Sequence, residues 1–270
     1  MEIIFPILII LATSSTFLFN KSSSLIEEKY ANDHNYYDFC LSWRLGVEAN
    51  NIRMWRTVPL QCLHHIQNYY SSSSMMMNNN DIVGGQYEND LKIVMDSIFS
   101  YLDNDNIPTN VYGDGYDAWI LDVDDTCLSN LFYYKTTRRF GCDPYDPVGF
   151  KIWASRGECP AIPAVLKLFY KLIEMGFKVF LITGRDEESL GQATIWNLHT
   201  QGFFGYQQLI LRNGSYKGQN AVVYKSAIRK QIVKEGYRIW GNVGDQWTDL
   251  QGDFTGDRTF KIPNPMYFVP

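Results

Sequence analysis

The sequence predicts an α/β fold in which a parallel sheet is covered by helices on both faces. From Asp117 onward, short continuous apolar runs alternate with segments whose apolar residues recur at helical spacing. Strands that are buried on both faces have such continuous runs, and parallel strands need long connections, usually helices. Several of these runs stop abruptly at polar residues or glycine. In open parallel sheets, the carboxyl ends of the strands are where ligands bind.

The boundaries of the elements follow from the apolar pattern and from residues that start or stop helices. Five strands are predicted at residues 118–121, 178–182, 208–211, 238–243 and 258–262. Three helices are predicted between them, at residues 161–175, 187–201 and 226–235. Pro160 and Pro163 suit the start of the first helix, and Ser226 is the predicted N-cap of the third. A glycine follows each helix, as expected at a helix C-terminus.

The N-terminal part of the chain has a different pattern and no cluster of catalytic residue types. Residues 1–18 are predicted to be a cleaved secretory signal, because a ten-residue apolar run from Ile3 precedes small polar residues. Residues 19–112 are predicted to form a helical extension. Within it, residues 71–80 contain only Ser, Met and Asn and are predicted to be a surface loop. Residues 113–270 are predicted to form the core domain.

Charge and composition exclude several classes of function. The net charge is −5, with 24 basic and 29 acidic residues, whereas a nucleic-acid-binding surface needs clustered Lys and Arg. We therefore expect no nucleic-acid partner. The apolar run near the N-terminus is shorter than the roughly 20 residues of a membrane-spanning helix. We therefore expect no membrane association after the signal is removed.

The five cysteines of a secreted chain are candidates for disulfide bonds. Cys40 and Cys62 flank a tryptophan-rich segment and are predicted to pair, as are Cys142 and Cys159. Cys127 is then left as a buried free thiol. Metal binding is the alternative use of these cysteines, but no CxxC or His-rich spacing supports it.

Two Asn-x-Ser sequons are candidates for N-glycosylation. Asn20 lies too close to the predicted cleavage region, whereas Asn213 stands in a polar turn with Ser215. We therefore predict that Asn213 is the glycosylated residue.

Two carboxylates, Asp122 and Asp124, stand at the end of the first predicted strand. Because they are two residues apart in an extended segment, both are expected to point to the same side. Their like charges repel, so a cation must neutralise one of them or one must stay protonated. Oxygen ligands without His or Cys select Mg²⁺ over zinc. The alternative is an ordinary turn with solvated aspartates.

Further polar residues follow the later strands. Thr183 and Gly184 come after the second strand and before a helix, where a hydroxyl and backbone N–H groups could hold a phosphate. Lys225 stands just before the third predicted helix, and Asp245 and Asp249 follow the fourth strand. Taken alone, Lys225 would be interpreted as a surface lysine, and Gly184 as an ordinary glycine after a strand. The order of all four groups is the stronger signal.

Together, these groups resemble the four motifs of the haloacid dehalogenase (HAD) superfamily of phosphatases. The chain is most similar to the plant acid phosphatases and vegetative storage proteins of that superfamily. The similar segments include residues 43–44, 47–51, 57–59, 61–62, 122–134, 182–185, 224–226 and 244–247. The resemblance implies a Rossmann-like HAD core with a parallel sheet flanked by helices. It also implies a small cap at about residues 128–160 and a helical N-terminal extension.

The resemblance implies a reaction in which a small phosphomonoester is hydrolysed. Asp122 would attack phosphorus to form an aspartyl-phosphate, and Asp124 would protonate the leaving oxygen and then activate water. Mg²⁺ would be held by the Asp122 carboxylate, the backbone carbonyl of Asp124 and the Asp245 carboxylate.

The same resemblance implies roles for the remaining motif residues. Thr183, Gly184 and Lys225 would bind the phosphoryl oxygens, and Asp249 would position Lys225 or a metal-bound water. Transfer to an acceptor alcohol would use the same residues. The resemblance also implies an extracellular or vacuolar location, and we include a homodimer among the expected partners.

The alternative function is that of a vegetative storage protein with little catalytic importance. In some such proteins a serine replaces the nucleophile. Asp122 is present in this chain, which favours activity, although storage and activity are compatible.

Overall fold

The computed structural model describes residues 34–71, 85–103 and 113–270, with side chains from residue 38 onward. The predicted signal segment, the sequon at Asn20 and residues 72–80 of the predicted surface loop lie outside the described residues. These three features therefore stay predictions.

The centre of the fold is a five-stranded parallel sheet. The strands are β1 (Asp117–Leu121), β2 (Lys178–Asp186), β3 (Gln208–Arg212), β4 (Arg238–Gly244) and β5 (Arg258–Lys261). They are arranged across the sheet in the order β3-β2-β1-β4-β5, and all neighbours are parallel. The predicted α/β fold with its five strands is confirmed.

Helices cover both faces of the sheet. Those before β1 are α1 (His34–Glu48), α2 (Leu63–Tyr70) and α3 (Gln86–Leu102). Those after β1 are α4 (Leu131–Thr137), α5 (Pro147–Ser155), α6 (Pro163–Glu174), α7 (Glu187–Thr200), α8 (Ala221–Lys234) and α9 (Trp247–Leu250). Trp119 and Leu121 of β1 pack in one core cluster with residues of α3 and α6. Ala118 and Ile120 pack on the opposite face with residues of α8, so every residue of β1 is buried.

Helix α8 begins earlier than predicted. The prediction of residues 226–235 is wrong at its start, because the helix begins at Ala221 with Asn220 as its N-cap. The side chain of Asn220 accepts a hydrogen bond from the backbone N–H of the second helical residue at 2.8 Å. The earlier start adds Ala221 and Tyr224 to the buried face of the helix. Lys225 therefore lies inside the helix instead of before it.

The N-terminal helices are joined to the core near the carboxyl end of the sheet. The carbonyl oxygen of Glu48 accepts a hydrogen bond from Trp247 Nε1 at 3.0 Å, and its carboxylate binds Lys261 Nζ at 2.7 Å. Helices α4 and α5 lie in the stretch predicted as a cap, and the cap itself stays a prediction. Among the described residues, no helix has the length and apolar character needed to span a bilayer.

One of the two predicted disulfides is present. Cys40 and Cys62 are joined, with their Cα atoms 5.3 Å apart, and Cys127 is a buried free thiol as predicted. The predicted pairing of Cys142 with Cys159 is wrong, because both are free thiols with different neighbours. The Cys142 thiol faces the carbonyl of Pro59 at 3.9 Å.

Cys159 lies instead near the carboxyl ends of the strands, next to Asn130 and Arg185. Its Sγ is 3.6 Å from Asn130 Oδ1 and 3.7 Å from Arg185 Nη2. Closeness of Cys142 and Cys159 along the chain therefore does not bring them together in space.

Asn213 is exposed and stands at the start of a short 3₁₀ turn, Gly214–Tyr216. Its side-chain oxygen accepts a hydrogen bond from the backbone N–H of Ser215 at 3.0 Å. The predicted polar turn is confirmed, and glycosylation of Asn213 stays a prediction.

The Cys40–Cys62 disulfide closes a loop with a sequence separation of 22 residues. In the chain-entropy model, replacing both cysteines by alanine should lower the free energy of unfolding by about 3 kcal/mol. Denaturant unfolding of the double variant measures this difference. The matched control is Cys142→Ala, which removes a free thiol and should change the free energy of unfolding by less than about 1 kcal/mol. Equal effects of the two replacements would contradict a stabilising role for the disulfide.

Candidate active site

The carboxyl ends of β1, β2 and β4 meet at one edge of the sheet. Asp122 directly follows β1, and Asp245 directly follows β4. The backbone N–H of Asp122 donates to the carbonyl of Val243 at 3.0 Å, which joins these two strand ends. The prediction that Thr183 and Gly184 follow the second strand is wrong, because β2 continues to Asp186 and contains both residues. This strand is the neighbour of β1 on the other side. Residues that are far apart in sequence therefore lie together at this edge.

Strand β2 has an irregularity at the predicted phosphate-binding motif. Its pairing with β3 shifts register between Ile182 and Asp186. Thr183, Gly184 and Arg185 occupy the shifted stretch, and the hydroxyl of Thr183 accepts a hydrogen bond from the backbone N–H of Arg185 at 3.1 Å. Such irregularities turn side chains away from the regular alternation of a strand. The motif is thereby free to face the site.

Lys225 lies between two carboxylates. Its Nζ donates to Oδ1 of Asp122 and to Oδ1 of Asp249, each at 2.5 Å. All three side chains are buried, with exposed fractions of 8% or less. Burial disfavours the charge on Lys225, but the two carboxylates outweigh burial and raise its pKa. Lys225 is therefore a buried, charged residue of the site, and the surface-lysine alternative is excluded.

Three carboxylates form a cluster that could hold a metal ion. One oxygen from each of Asp122, Asp245 and Asp249 lies within 4.8 Å of the others. Oδ2 of Asp245 accepts hydrogen bonds from the side-chain amides of Gln246 at 2.8 Å and Asn264 at 2.7 Å. Burial, followed by the charge of Asp249, raises the pKa of Asp245 to about 7. Since Lys225 pairs with only two of these three buried carboxylates, the cluster fits a hard divalent cation.

Asp124 is held differently from Asp122. Its carboxylate accepts hydrogen bonds from Arg185 Nη2 at 2.8 Å, Arg185 Nε at 3.1 Å and Asn130 Nδ2 at 2.9 Å. Burial opposes ionisation of Asp124, but the positive charge of Arg185 and these hydrogen bonds lower its pKa. For Asp122, burial outweighs the opposing effect of Lys225 and raises the pKa. Two carboxylates of one motif therefore have pKa values shifted in opposite directions.

Most residues predicted for the site line one cavity of about 1300 Å³. Those in its lining are Asp122, Asp124, Gly184, Lys225, Asp245 and Asp249. Thr183 is fully buried and outside the lining, with its hydroxyl 3.4 Å from Oδ2 of Asp124. The third carboxylate of the candidate metal cluster is that of Asp249, whereas the carboxylate of Asp124 is bound by Arg185.

Sequence reasoning missed several residues that hold the site together. Arg185 is part of the predicted second motif, but its pairing with Asp124 was not predicted. Asn130 belongs to the segment 122–134 that resembles the family, which was the available signal. Asn264 and Tyr267 carry no motif, and only the path of the chain after β5 brings them to the site.

Comparison with known proteins assigns the chain to a family. A family model described as HAD superfamily, subfamily IIIB (Acid phosphatase) matches residues 25–270. Acid phosphatase 1 of Solanum lycopersicum is 40% identical over 230 residues, which cover 85% of this chain and 83% of that protein. Vegetative storage protein 2 of Arabidopsis thaliana is 37% identical over 272 residues, which cover 98% of this chain and 92% of that protein.

Among solved structures, the class C acid phosphatase from Bacillus anthracis aligns with 86% of this chain and 86% of its own. The TM-score is 0.49 and the identity 18%, and the family assignment does not depend on this alignment. The chain belongs to the acid phosphatase subfamily IIIB of the HAD superfamily. The resemblance to plant acid phosphatases and vegetative storage proteins is confirmed, and the enzyme class is that of the phosphoric monoester hydrolases.

Lys225 compensates two buried negative charges, so its removal should strongly destabilise the protein. Lys225→Met keeps much of the side-chain volume but leaves Asp122 and Asp249 without a counter-charge. We expect the free energy of unfolding to fall by about 3 kcal/mol or more. Lys230→Met is the matched control, because Lys230 is exposed on the same helix and should give a change below about 0.5 kcal/mol. Denaturant unfolding of both variants in metal-free buffer measures these free energies. Similar decreases in the two variants would contradict the role of Lys225 as a counter-charge.

Proposed function

We propose that the chain hydrolyses small phosphomonoesters, with Asp122 as the nucleophile and Asp124 as the general acid and base. The observation that carries this proposal is that both carboxylates line one cavity, with Asp122 bound by Lys225 and Asp124 bound by Arg185. Such pairs of titratable groups with contrasting environments are typical of catalytic sites. Membership of the acid phosphatase family supports the same reaction class.

The groups proposed to bind the phosphoryl oxygens surround Asp122. Because Lys225 Nζ lies 2.5 Å from Asp122 Oδ1, the ammonium group would also reach a phosphoryl group attacked by that carboxylate. Gly184 lines the cavity, and a Cβ added there would meet nothing within 4 Å, so a ligand can approach the backbone closely. Together with the hydroxyl of Thr183, these groups would stabilise negative charge on the transferring phosphoryl group.

The proposed reaction has two halves. In the first, a carboxylate oxygen of Asp122 bonds to phosphorus, the bond from phosphorus to the leaving oxygen breaks, and Asp124 donates a proton to that oxygen. In the second, a water oxygen attacks the aspartyl-phosphate, Asp124 takes a proton from the water, and the bond to Asp122 breaks. Inorganic phosphate leaves, and both side chains regain their starting states.

Arg185 sets the resting state of Asp124 in this scheme. Its guanidinium group favours the ionised carboxylate, which is the form that accepts a proton from water. The protonated form needed for the first half-reaction becomes more populated as the pH falls toward the lowered pKa of Asp124. Donation to a leaving group is therefore favoured by an acidic medium.

We propose Mg²⁺ as the cofactor. Asp122, Asp245 and Asp249 would supply carboxylate oxygens, and the backbone carbonyl of Asp124 is the further ligand implied by the family resemblance. When bound, the ion supplies positive charge that offsets repulsion between the carboxylates and the phosphate. The excess of buried carboxylates over Lys225 supports this proposal.

A storage function is the second candidate, and it is favoured by the relatives. Vegetative storage protein 1 of Arabidopsis thaliana is 38% identical over 272 residues, which cover 98% of this chain. A stored protein needs no active site, yet Asp122 and its partners are all in place in this chain. We therefore propose that any storage role is combined with phosphatase activity. Transfer of the phosphoryl group to an alcohol would compete with hydrolysis. We favour hydrolysis, because water is in large excess.

We propose a location in the secretory pathway, ending outside the cell or in a vacuole. The Cys40–Cys62 disulfide is suited to an oxidising compartment, and the sequon at Asn213 is exposed. Two relatives from Glycine max are named stem glycoproteins, at 37% and 35% identity.

Asp122→Asn should abolish turnover, because an amide cannot act as the nucleophile. We expect the rate to fall by at least about 1000-fold, with no trapped phosphoenzyme. Asp257→Asn is the matched control, since Asp257 is exposed and should leave the rate unchanged. Rapid-quench labelling with a radioactive phosphomonoester, followed by peptide mapping, shows which residue carries phosphate. Label on a residue other than Asp122, or near-normal turnover of Asp122→Asn, would disprove the assignment.

Removal of divalent metal should abolish turnover, because the carboxylate cluster would then repel the anionic substrate. Assays of purified protein after chelation, and after readdition of Mg²⁺, measure this dependence. We expect activity to fall to background and to return with Mg²⁺, and Asp245→Asn to weaken Mg²⁺ binding by about 10-fold or more. Full activity of the metal-free protein would exclude a metal cofactor.

A further inference from the structure

The C-terminal segment, residues 264–270, lies against the candidate active site. After β5, residues 266–270 form part of the cavity lining. Asn264 Nδ2 donates to Oδ2 of Asp245 at 2.7 Å, and the backbone N–H of Val269 donates to Oε1 of Gln246 at 3.1 Å. This segment therefore contacts the reaction site directly, although it lies outside all the recognised motifs.

Tyr267 connects this segment to the first motif. Its hydroxyl donates to Oδ2 of Asp125 at 2.8 Å, and its ring stacks on Tyr134 with the ring centres 5.0 Å apart. Asp125 is buried and has a φ of +51°, a left-handed conformation that is uncommon outside glycine. Uncommon backbone conformations persist where surrounding contacts maintain them. The hydrogen bond from Tyr267 is one such contact.

Asn130 connects Asp125 to Asp124. Its backbone N–H donates to Oδ1 of Asp125 at 2.8 Å, and its side-chain Nδ2 donates to Oδ1 of Asp124 at 2.9 Å. Its side-chain oxygen accepts a hydrogen bond from Trp153 Nε1 at 3.1 Å. Because the indole only donates and ionised carboxylates only accept, the amide has one favourable orientation. A continuous chain of hydrogen bonds therefore runs from Tyr267 through Asp125 and Asn130 to Asp124.

We propose that Tyr267 is a positioning residue, which holds the carboxylate of Asp124 in place through Asp125 and Asn130. The inference rests on the proposed function, in which Asp124 gives a proton to the leaving oxygen. Without the hydroxyl, Asp125 loses a donor and competes more strongly for the Asn130 amide, which already lies 3.2 Å from its Oδ2. Arg185 and the more distant Thr183 hydroxyl are then left to orient Asp124. Small displacements of a catalytic group slow a reaction substantially. The effect falls on proton transfer and leaves phosphate binding unchanged.

Tyr267→Phe tests the inference, because it removes the hydroxyl and keeps the ring that stacks on Tyr134. Values of kcat/KM are measured with Mg²⁺ for phosphate esters that range from nitrophenyl phosphate to an alkyl phosphate. We expect the alkyl ester to lose about 10-fold and nitrophenyl phosphate less than about 2-fold, because only the poor leaving group needs the proton. The inhibition constant of inorganic phosphate should stay unchanged.

Two further variants separate positioning from a structural effect. In an Asp124→Asn background, Tyr267→Phe should not steepen the dependence on the leaving group any further, since both residues act in one step. Tyr170→Phe is the matched control, because it removes a tyrosine hydroxyl bond to the carbonyl of Gly202, far along the chain from the site motifs. It should leave the rates for all esters at the values of the unmodified protein.

Three results would overturn the inference: no loss in Tyr267→Phe, an equal loss for every ester, or a loss that persists without Asp124. If Asp124→Asn itself leaves the dependence on the leaving group unchanged, the proposed role of Asp124 fails, and the inference fails with it. The two failures are thus distinguishable. Should Tyr267→Phe not fold, Asp125→Asn replaces it, because Asn130 and Tyr267 donate to different oxygens of Asp125 and an amide keeps only one of these acceptors. The inference then requires that kcat/KM of Asp125→Asn depends more steeply on the leaving group than that of the unmodified protein.

Discussion

The buried Lys225 is the interaction on which the site depends. A parallel sheet brings the ends of β1 and β4 together, and with them the carboxylates of Asp122, Asp245 and Asp249. Such a concentration of like charge in a buried place is unfavourable unless a cation accompanies it. Lys225 pairs with two of the three carboxylates, and it reaches them from inside α8. The contacts of Lys225 with Asp122 and Asp249 therefore contribute both to the stability of the fold and to the proposed reaction.

The two carboxylates of the first motif show how neighbouring residues acquire different properties. Asp122 faces the carboxylate cluster and Lys225, whereas Asp124 faces Arg185 from the irregular stretch of β2. If β2 had continued in regular pairing with β3, its side chains would have kept strict alternation. The irregularity of this strand thus helps to provide the guanidinium group that stabilises ionised Asp124. Local backbone geometry therefore decides here which of the two carboxylates is paired with the guanidinium group of Arg185.

Segments outside the α/β core complete the cavity. The carbonyl of Glu48, at the end of α1, binds the indole of Trp247 in the helix that carries Asp249. At the other end of the chain, Asn264 binds Asp245. The N-terminal extension and the C-terminal segment therefore both contact residues next to the carboxylate cluster. This explains how a site built on strand ends can depend on parts of the chain that have no motif of their own.

The sequence by itself determined the α/β fold, the five strands and the strand-end positions of Asp122 and Asp245, because apolar periodicity and abrupt polar stops are local signals. It also indicated the Cys40–Cys62 disulfide. Only the tertiary structure decided the separate surroundings of Cys142 and Cys159, and the contacts of Asn130 with Trp153 and of Tyr267 with Asp125. The physical reason is that these features depend on contacts between segments far apart in the chain. Such contacts are set by loop paths and packing, which local periodicity does not encode.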